Sequence, residues 1–164
     1  MNRYFLNPGH ILITGEPTTI MTVLGSAVAV TLFDPVRKLG GMNHFVRPHL
    51  GEDESPTALY AGPATVKLIR MFSELEAIPQ NLEAQIFGGA VPLEKDADKT
   101  LLGEQNIEAA EKILQESGVT IVGRETGGHH GRKIMFNTWT GEVIIAKVEK
   151  IRKDDWFPGN DENR

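Results

Sequence analysis

Five histidines, no cysteine and several glycine pairs are the residues of chemical interest in this 164-residue chain. His44 lies in Gly40-Gly41-Met42-Asn43-His44-Phe45, which reads as a turn feeding a strand on which Asn43 and His44 point to opposite faces. An imidazole titrates near neutral pH and can serve as base or acid, but a lone one on a strand reads as structural. His129 and His130 are neighbours, so on a strand they would point apart and could not chelate one metal without a distorted loop. They sit in Gly127-Gly128-His129-His130-Gly131-Arg132-Lys133, which lacks the Gly-Lys-Ser/Thr ending of a P-loop and leads into a strand rather than a helix. That segment is read as a glycine-rich turn. Gly88-Gly89-Ala90, after the apolar run 84–87, fits either a tight turn or the close approach of another backbone or a ligand.

Charge and composition narrow the chemistry further. Acidic side chains outnumber basic ones by 22 to 17, a formal charge of -5, which is the wrong sign for binding phosphates, so nucleic acid is not an expected partner. With no cysteine, disulfides, thiolate metal sites and a thiol nucleophile are excluded for the chain as written. No apolar run approaches the roughly 18 residues of a spanning helix, and Met1-Asn2-Arg3-Tyr4-Phe5-Leu6-Asn7-Pro8 carries neither a long apolar stretch nor a cleavage site. The expectation is a cytoplasmic protein, not inserted in a membrane and without a cofactor or metal.

The elements that must position these residues are mostly strands. Short β-branched and apolar runs at 11–14, 18–24, 27–33, 42–46, 84–87, 119–122, 133–137 and 142–148 predict them. The last two flank Thr138-Trp139-Thr140-Gly141, whose glycine can take the positive φ of a short loop, so they pair as an antiparallel hairpin. Two stretches have helical period instead. Thr65, Leu68, Phe72 and Leu75 form one apolar stripe on a helix starting near Pro63 and ending before Pro79. Ile107, Ala110 and Leu114 do the same over 103–117, with Gly118 as the αL residue that ends the helix. Lys67, Arg70 and Glu74, and then Glu108, Glu111 and Lys112, give each helix a wet face, so both should lie against a sheet. The resulting expectation is an α+β fold, a layered α/β sandwich of mixed, largely antiparallel strands with flanking amphipathic helices. One domain over residues 1–152 and a polar tail over 153–164 complete it.

Five motifs in order, Leu24-Gly25-Ser26-Ala27-Val28-Ala29-Val30, Gly40-Gly41-Met42-Asn43-His44-Phe45, Ile86-Phe87-Gly88-Gly89-Ala90, Gly103-Glu104-Gln105-Asn106 and Thr126-Gly127-Gly128 with Gly131-Arg132-Lys133, together resemble the chemoreceptor glutamine deamidases known as CheD. The resemblance runs from about residue 15 to 147. It implies a fold similar to that of the cytotoxic necrotising factor deamidases and a cysteine-histidine site assisted by a hydroxyl. The family's nucleophilic Cys falls on Ala27 and its His on His44. The assisting hydroxyl falls in the preceding strand, where Thr22 is the first choice and Thr19 and Thr18 lie further back. Gly25, Ser26, Asn43, Gly88 and Gly89 are carried over as the oxyanion and substrate-binding surroundings.

In such a site a thiol beside an imidazole attacks as thiolate, backbone N–H groups near Ser26 and residue 27 hold the oxyanion, and the ring protonates departing ammonia. The implied substrates are glutamines on the cytoplasmic helices of methyl-accepting chemotaxis receptors, and a CheC-type phosphatase is an implied partner. A methyl group neither ionises nor attacks, so the chain as given is expected to be inactive. Either the alanine was introduced in place of a cysteine, which the intact His44 and glycine motifs favour, or the chain is a homologue that kept only a binding role. The alternative function is therefore a regulatory module that docks receptor or CheC-type helices without catalysis.

Overall fold

The computed structural model describes residues 1–93 and 97–149, so the tail expected at 153–164 lies outside the described residues. Among the described residues, nine strands form two sheets. β1 (Asn2–Phe5), β3 (Thr18–Leu24), β8 (Gly131–Asn137) and β9 (Val143–Val148) make the first, in the order β1-β3-β8-β9. β2 (Ile11–Thr14), β5 (Leu39–Asn43), β4 (Val28–Asp34), β6 (Glu83–Gly88) and β7 (Thr120–Thr126) make the second, in the order β2-β5-β4-β6-β7. Only β1 with β3 and β6 with β7 run parallel among these pairings. The helices α1 (Ala61–Glu74) and α2 (Ala97–Glu116) cover the outer face of the second sheet. The fold is thus the layered, largely antiparallel α+β arrangement that the sequence predicts.

The middle layer explains the sequence pattern best. Every residue of β4 is buried, because its two faces serve two cores. Val28, Val30 and Leu32 pack with Leu68 and Phe72 of α1 and Ala110 and Leu114 of α2, while Ala29 and Phe33 pack with Ile20, Leu24, Ile134 and Phe136 of the first sheet. A strand buried on both sides reads as a continuous apolar run rather than an alternating one, which is how residues 27–33 read. The 138–141 hairpin forms as expected, with Gly141 at a φ of 79°, and Gly118 closes α2 at 73°.

Four local departures from the expected elements are seen. Gly40-Gly41 is not a turn but the interior of β5, and the turn lies earlier, where Lys38 has a positive φ of 54°. The glycines serve packing: a Cβ on Gly40 would lie 2.5 Å from the Thr138 Cα, and one on Gly41 would lie 2.9 Å from the Phe72 ring. One admits the first sheet and the other admits α1. Leu75 is not part of the helix stripe, since α1 ends at Glu74 and Leu75 caps it, 48% exposed. β1 has no counterpart among the predicted strands, and α2 starts six residues before position 103.

Because the Gly40 contact is with backbone, it cannot be relieved by a rotamer change. Gly40→Ala is expected to lower stability by about 2 kcal/mol or more, read as a lower urea midpoint at unchanged slope. A midpoint equal to that of the parent chain would show that the layers do not touch there as described.

Candidate functional site

The connection from β3 to β4 carries the chain from one sheet to the other, and Gly25, Ser26 and Ala27 form that corner. Past β5, the ladder between the β4 and β5 segments ends in one reciprocal pair, in which Val28 and Phe45 exchange N–H···O bonds of 3.0 Å each. This pairing sets Ala29 opposite His44, so residue 27 lies diagonal to His44 on the same face, at about 7 Å between such Cβ atoms. That face looks toward the first sheet, and Ala27 belongs to the core between the sheets, 7% exposed.

The His44 ring is buried and reaches across to β3, where its Nδ1 lies 2.8 Å from the Thr22 Oγ1. Thr22 also donates to the Leu6 carbonyl, 2.8 Å away. A hydroxyl has one proton, and a carbonyl can only accept. With that proton on the Leu6 carbonyl, Thr22 must accept from His44, which places the ring proton on Nδ1 and the lone pair on Nε2. The backbone is pinned as well, since the Gly9 N–H donates to the His44 carbonyl at 2.8 Å.

Burial disfavours the imidazolium and lowers the His44 pKa from 6.5 to about 4, against a smaller upward pull from the Leu6 carbonyl. At neutral pH the ring is therefore uncharged and able to take a proton. Asn43 points the other way, as its neighbour relation to His44 predicts, and its Oδ1 accepts the Val30 N–H at 2.8 Å. Of the residues carried over from the sequence, Thr22, Ala27 and His44 come together, with Gly25 and Ser26 at the corner itself. Asn43 joins β5 to β4 on the far face.

Gly88 and Gly89 support the corner from β6. Their φ values are 104° and 70°, and a Cβ on Gly88 would run into the Ala27 carbonyl oxygen. That oxygen instead accepts the Gly89 N–H at 2.9 Å, and Ala90 donates to the Gly25 carbonyl at 2.9 Å. Of the two readings of this glycine pair the close backbone approach holds, whereas Gly88 is the last residue of β6 and no tight turn forms at the pair. Two residues that sequence reasoning did not place also converge. Arg132, 4% exposed on β8, donates to the Gly127 carbonyl at 2.7 Å and the Gly88 carbonyl at 3.4 Å. Burial lowers its pKa, opposed by the nearby Glu125 carboxylate. Asn106 on α2 is fully buried and donates to the Ser26 carbonyl at 3.0 Å and the Val46 carbonyl at 3.1 Å. The signal was present as the fourth and fifth motifs, but no spacing rule says where such side chains point. His129 and His130 lie exposed in the loop before β8, and the His129 Nδ1 is 2.9 Å from the Val91 carbonyl.

A neutral, buried imidazole strung between two sheets beside a supported backbone corner defines a layered α+β protein with a histidine-centred site. The model of the family described as CheD chemotactic sensory transduction matches residues 48–147. The chain is 38% identical over 147 residues to a protein of Trichlorobacter lovleyi named probable chemoreceptor glutamine deamidase CheD, covering 90% of this chain and 91% of the relative. It is 34% identical over 141 residues to the chemoreceptor glutamine deamidase CheD of Thermotoga maritima, covering 85% and 88%. The chain belongs to the CheD family. Among solved structures, the Bacillus licheniformis hypothetical protein YfiH aligns with a TM-score of 0.48 at 17% identity, over 72% of this chain and 49% of that one. No helix among the described residues is long and apolar enough to cross a membrane.

The shifted His44 pKa sets a pH dependence. The unfolded chain binds the proton near pH 6.5 and the folded one near 4, so the unfolded state holds more protons between these values. Stability from this group is full above pH 6.5 and is lost as pH falls toward 4. Urea unfolding at pH 5 should give about 2 kcal/mol less than at pH 7, and His44→Gln should remove most of that difference. Equal slopes of stability against pH in the two proteins would assign the effect elsewhere.

Proposed function

We propose that this chain is a receptor-glutamine deamidase in which alanine holds the nucleophile's place, so that it binds its substrate amide but does not hydrolyse it. The observation that carries the reading is the Thr22–His44 bond across the two sheets, which fixes a neutral base on the face that residue 27 shares. The names of the relatives supply the substrate class, glutamine side chains of chemoreceptors.

With a cysteine at position 27, His44 Nε2 takes the thiol proton and the sulfur adds to the glutamine carboxamide carbon. Backbone N–H groups at the Gly25–Ser26–residue 27 corner face the resulting oxyanion. The proton then passes from Nε2 to the amide nitrogen, the C–N bond breaks, and ammonia leaves a thioester. Water, losing a proton to His44 Nε2, cleaves the thioester to glutamate, and that proton returns to the sulfur to give free thiol. Thr22 keeps the ring in the tautomer that this cycle needs. Ala27 removes the first step and leaves the base, the corner and its supports in place.

Ala27→Cys should therefore create deamidation of receptor cytoplasmic fragments, read as a gain of about 1 Da per site, while the chain as given produces none. Adding His44→Ala should abolish it, and persistent activity would assign the base elsewhere. The small size of the Ala27 change favours a second reading, docking without catalysis on a receptor helix or a CheC-type phosphatase helix. The chain as given should bind a receptor fragment carrying glutamine more tightly than the same fragment with glutamate, since the carboxylate meets an already acidic protein. Equal affinities would remove the idea that this site reads a glutamine.

A further inference from the structure

The β4–β5 ladder needs one more rung beyond the Val28–Phe45 pair, and the backbone does not supply it. Regular pairing would set the Arg47 N–H against the Ser26 carbonyl. Arg47 instead donates to the Leu59 carbonyl at 3.1 Å, and the two strand extensions part. The Ser26 carbonyl is then left without its strand partner, and the Val46 carbonyl lies within reach of the same donor. A carbonyl partly withdrawn from water gains from a donor. That donor is the Asn106 carboxamide, whose single nitrogen donates to both, at 3.0 and 3.1 Å.

How α2 delivers this group is equally specific. Gly103 stands one turn earlier on the same helix, and a Cβ there would strike the carbonyl oxygens of Gly89 and Ala90. The bare glycine lets the helix press against the loop that holds Ala27, and Asn106 follows three residues on.

We propose that Asn106 is a positioning residue for the site, setting the distance between residue 27 and His44 and the direction of the residue 27 amide. The first part follows from its two partners, since Ser26 is bonded to residue 27 and Val46 lies two residues past His44. The second follows from peptide planarity. In a trans peptide the C=O and N–H point oppositely, so tying the Ser26 carbonyl to Asn106 turns the Ala27 N–H to the far side of the chain. Among the described residues that N–H makes no backbone hydrogen bond. Asn106 thus holds an amide donor available where an oxyanion would need one.

The inference rests on the cysteine-histidine reading, and its test needs no receptor. In the Ala27→Cys chain, the pH midpoint of thiol alkylation by iodoacetamide reports how well His44 shares the thiol proton, and it should lie at least one pH unit below the ordinary value of about 8.5. Asn106→Ala in that background should raise the midpoint by about one unit or more while the circular dichroism spectrum stays that of the folded parent, with a melting temperature lowered by the loss of two hydrogen bonds. Asn106→Asp, which keeps the volume and removes both donors, should do the same and serves if the alanine variant does not fold. A folded variant with an unchanged midpoint overturns the positioning role, as does a failure of both variants to fold, which would make Asn106 a structural bolt. An ordinary midpoint already in the Ala27→Cys parent would instead overturn the cysteine-histidine reading itself.

Discussion

One hydroxyl proton governs the rest of the site. Thr22 gives it to the Leu6 carbonyl and so can only accept from His44, which fixes both the tautomer and the tilt of the ring. Leu6 and Thr22 belong to the first sheet and its flank, whereas His44 follows the last residue of β5 in the second. The bond is therefore a tie between layers as well as a tuning device. It is short and buried, where a hydrogen bond is stronger than in water and a missing partner is more costly. A one-residue slip of β3 against β8 would turn Thr22 outward and leave a neutral imidazole buried against apolar neighbours.

Close approach of the layers is what makes that tie reachable, and glycine permits it at each contact. Gly40 lets Thr138 of the neighbouring sheet come near, Gly41 lets Phe72 of α1 settle from the other side, and Gly88 leaves room for the Ala27 carbonyl. Each is a place where a methyl group would push one layer from the next. The same glycines thereby decide which polar groups can meet. Arg132 extends this arrangement from the first sheet, since it reaches the carbonyls of Gly88 and Gly127 and holds the loop that in turn holds residue 27.

Much of the architecture is legible in the residues, and the exceptions have physical reasons. Residues 18–24 predict their strand to the residue because they are one unbroken run of β-branched and apolar types, alternating buried and half-buried over 18–22 and buried throughout 22–24. β1 is invisible because it is four mostly exposed residues held at an edge by parallel pairing with β3, not by its own pattern. Gly40 and Gly41 misled because a glycine pair looks the same whether it serves a turn or a close contact. The difference lies with Phe72 and Thr138, some 30 and 100 residues away. The site divides in the same way. His44 lies in the second of the family's motifs and Thr22 in the strand before the first, yet their meeting depends on two sheets stacking, which no local spacing encodes. Asn106 reads as one more polar residue on a helix with a wet face. Only its burial and its two carbonyl partners set it apart.

The order of these groups along the chain also has a consequence. Leu6, Thr22, residue 27 and His44 all precede the exposed stretch 51–57, while Gly88, Gly89, Asn106 and Arg132 all follow it. Each sheet is likewise shared, with β1 and β3 on one side of that stretch completed by β8 and β9 on the other, and β2, β4 and β5 completed by β6 and β7. A nick at 51–57 would thus divide the molecule into one piece that holds the Thr22–His44 pair with residue 27 and another that holds the groups bonded to their corner. Neither piece has a whole sheet, and the first lacks both helices. The protein is in this sense already laid out as a two-fragment complementation pair, in which a formed site reports that the halves have joined.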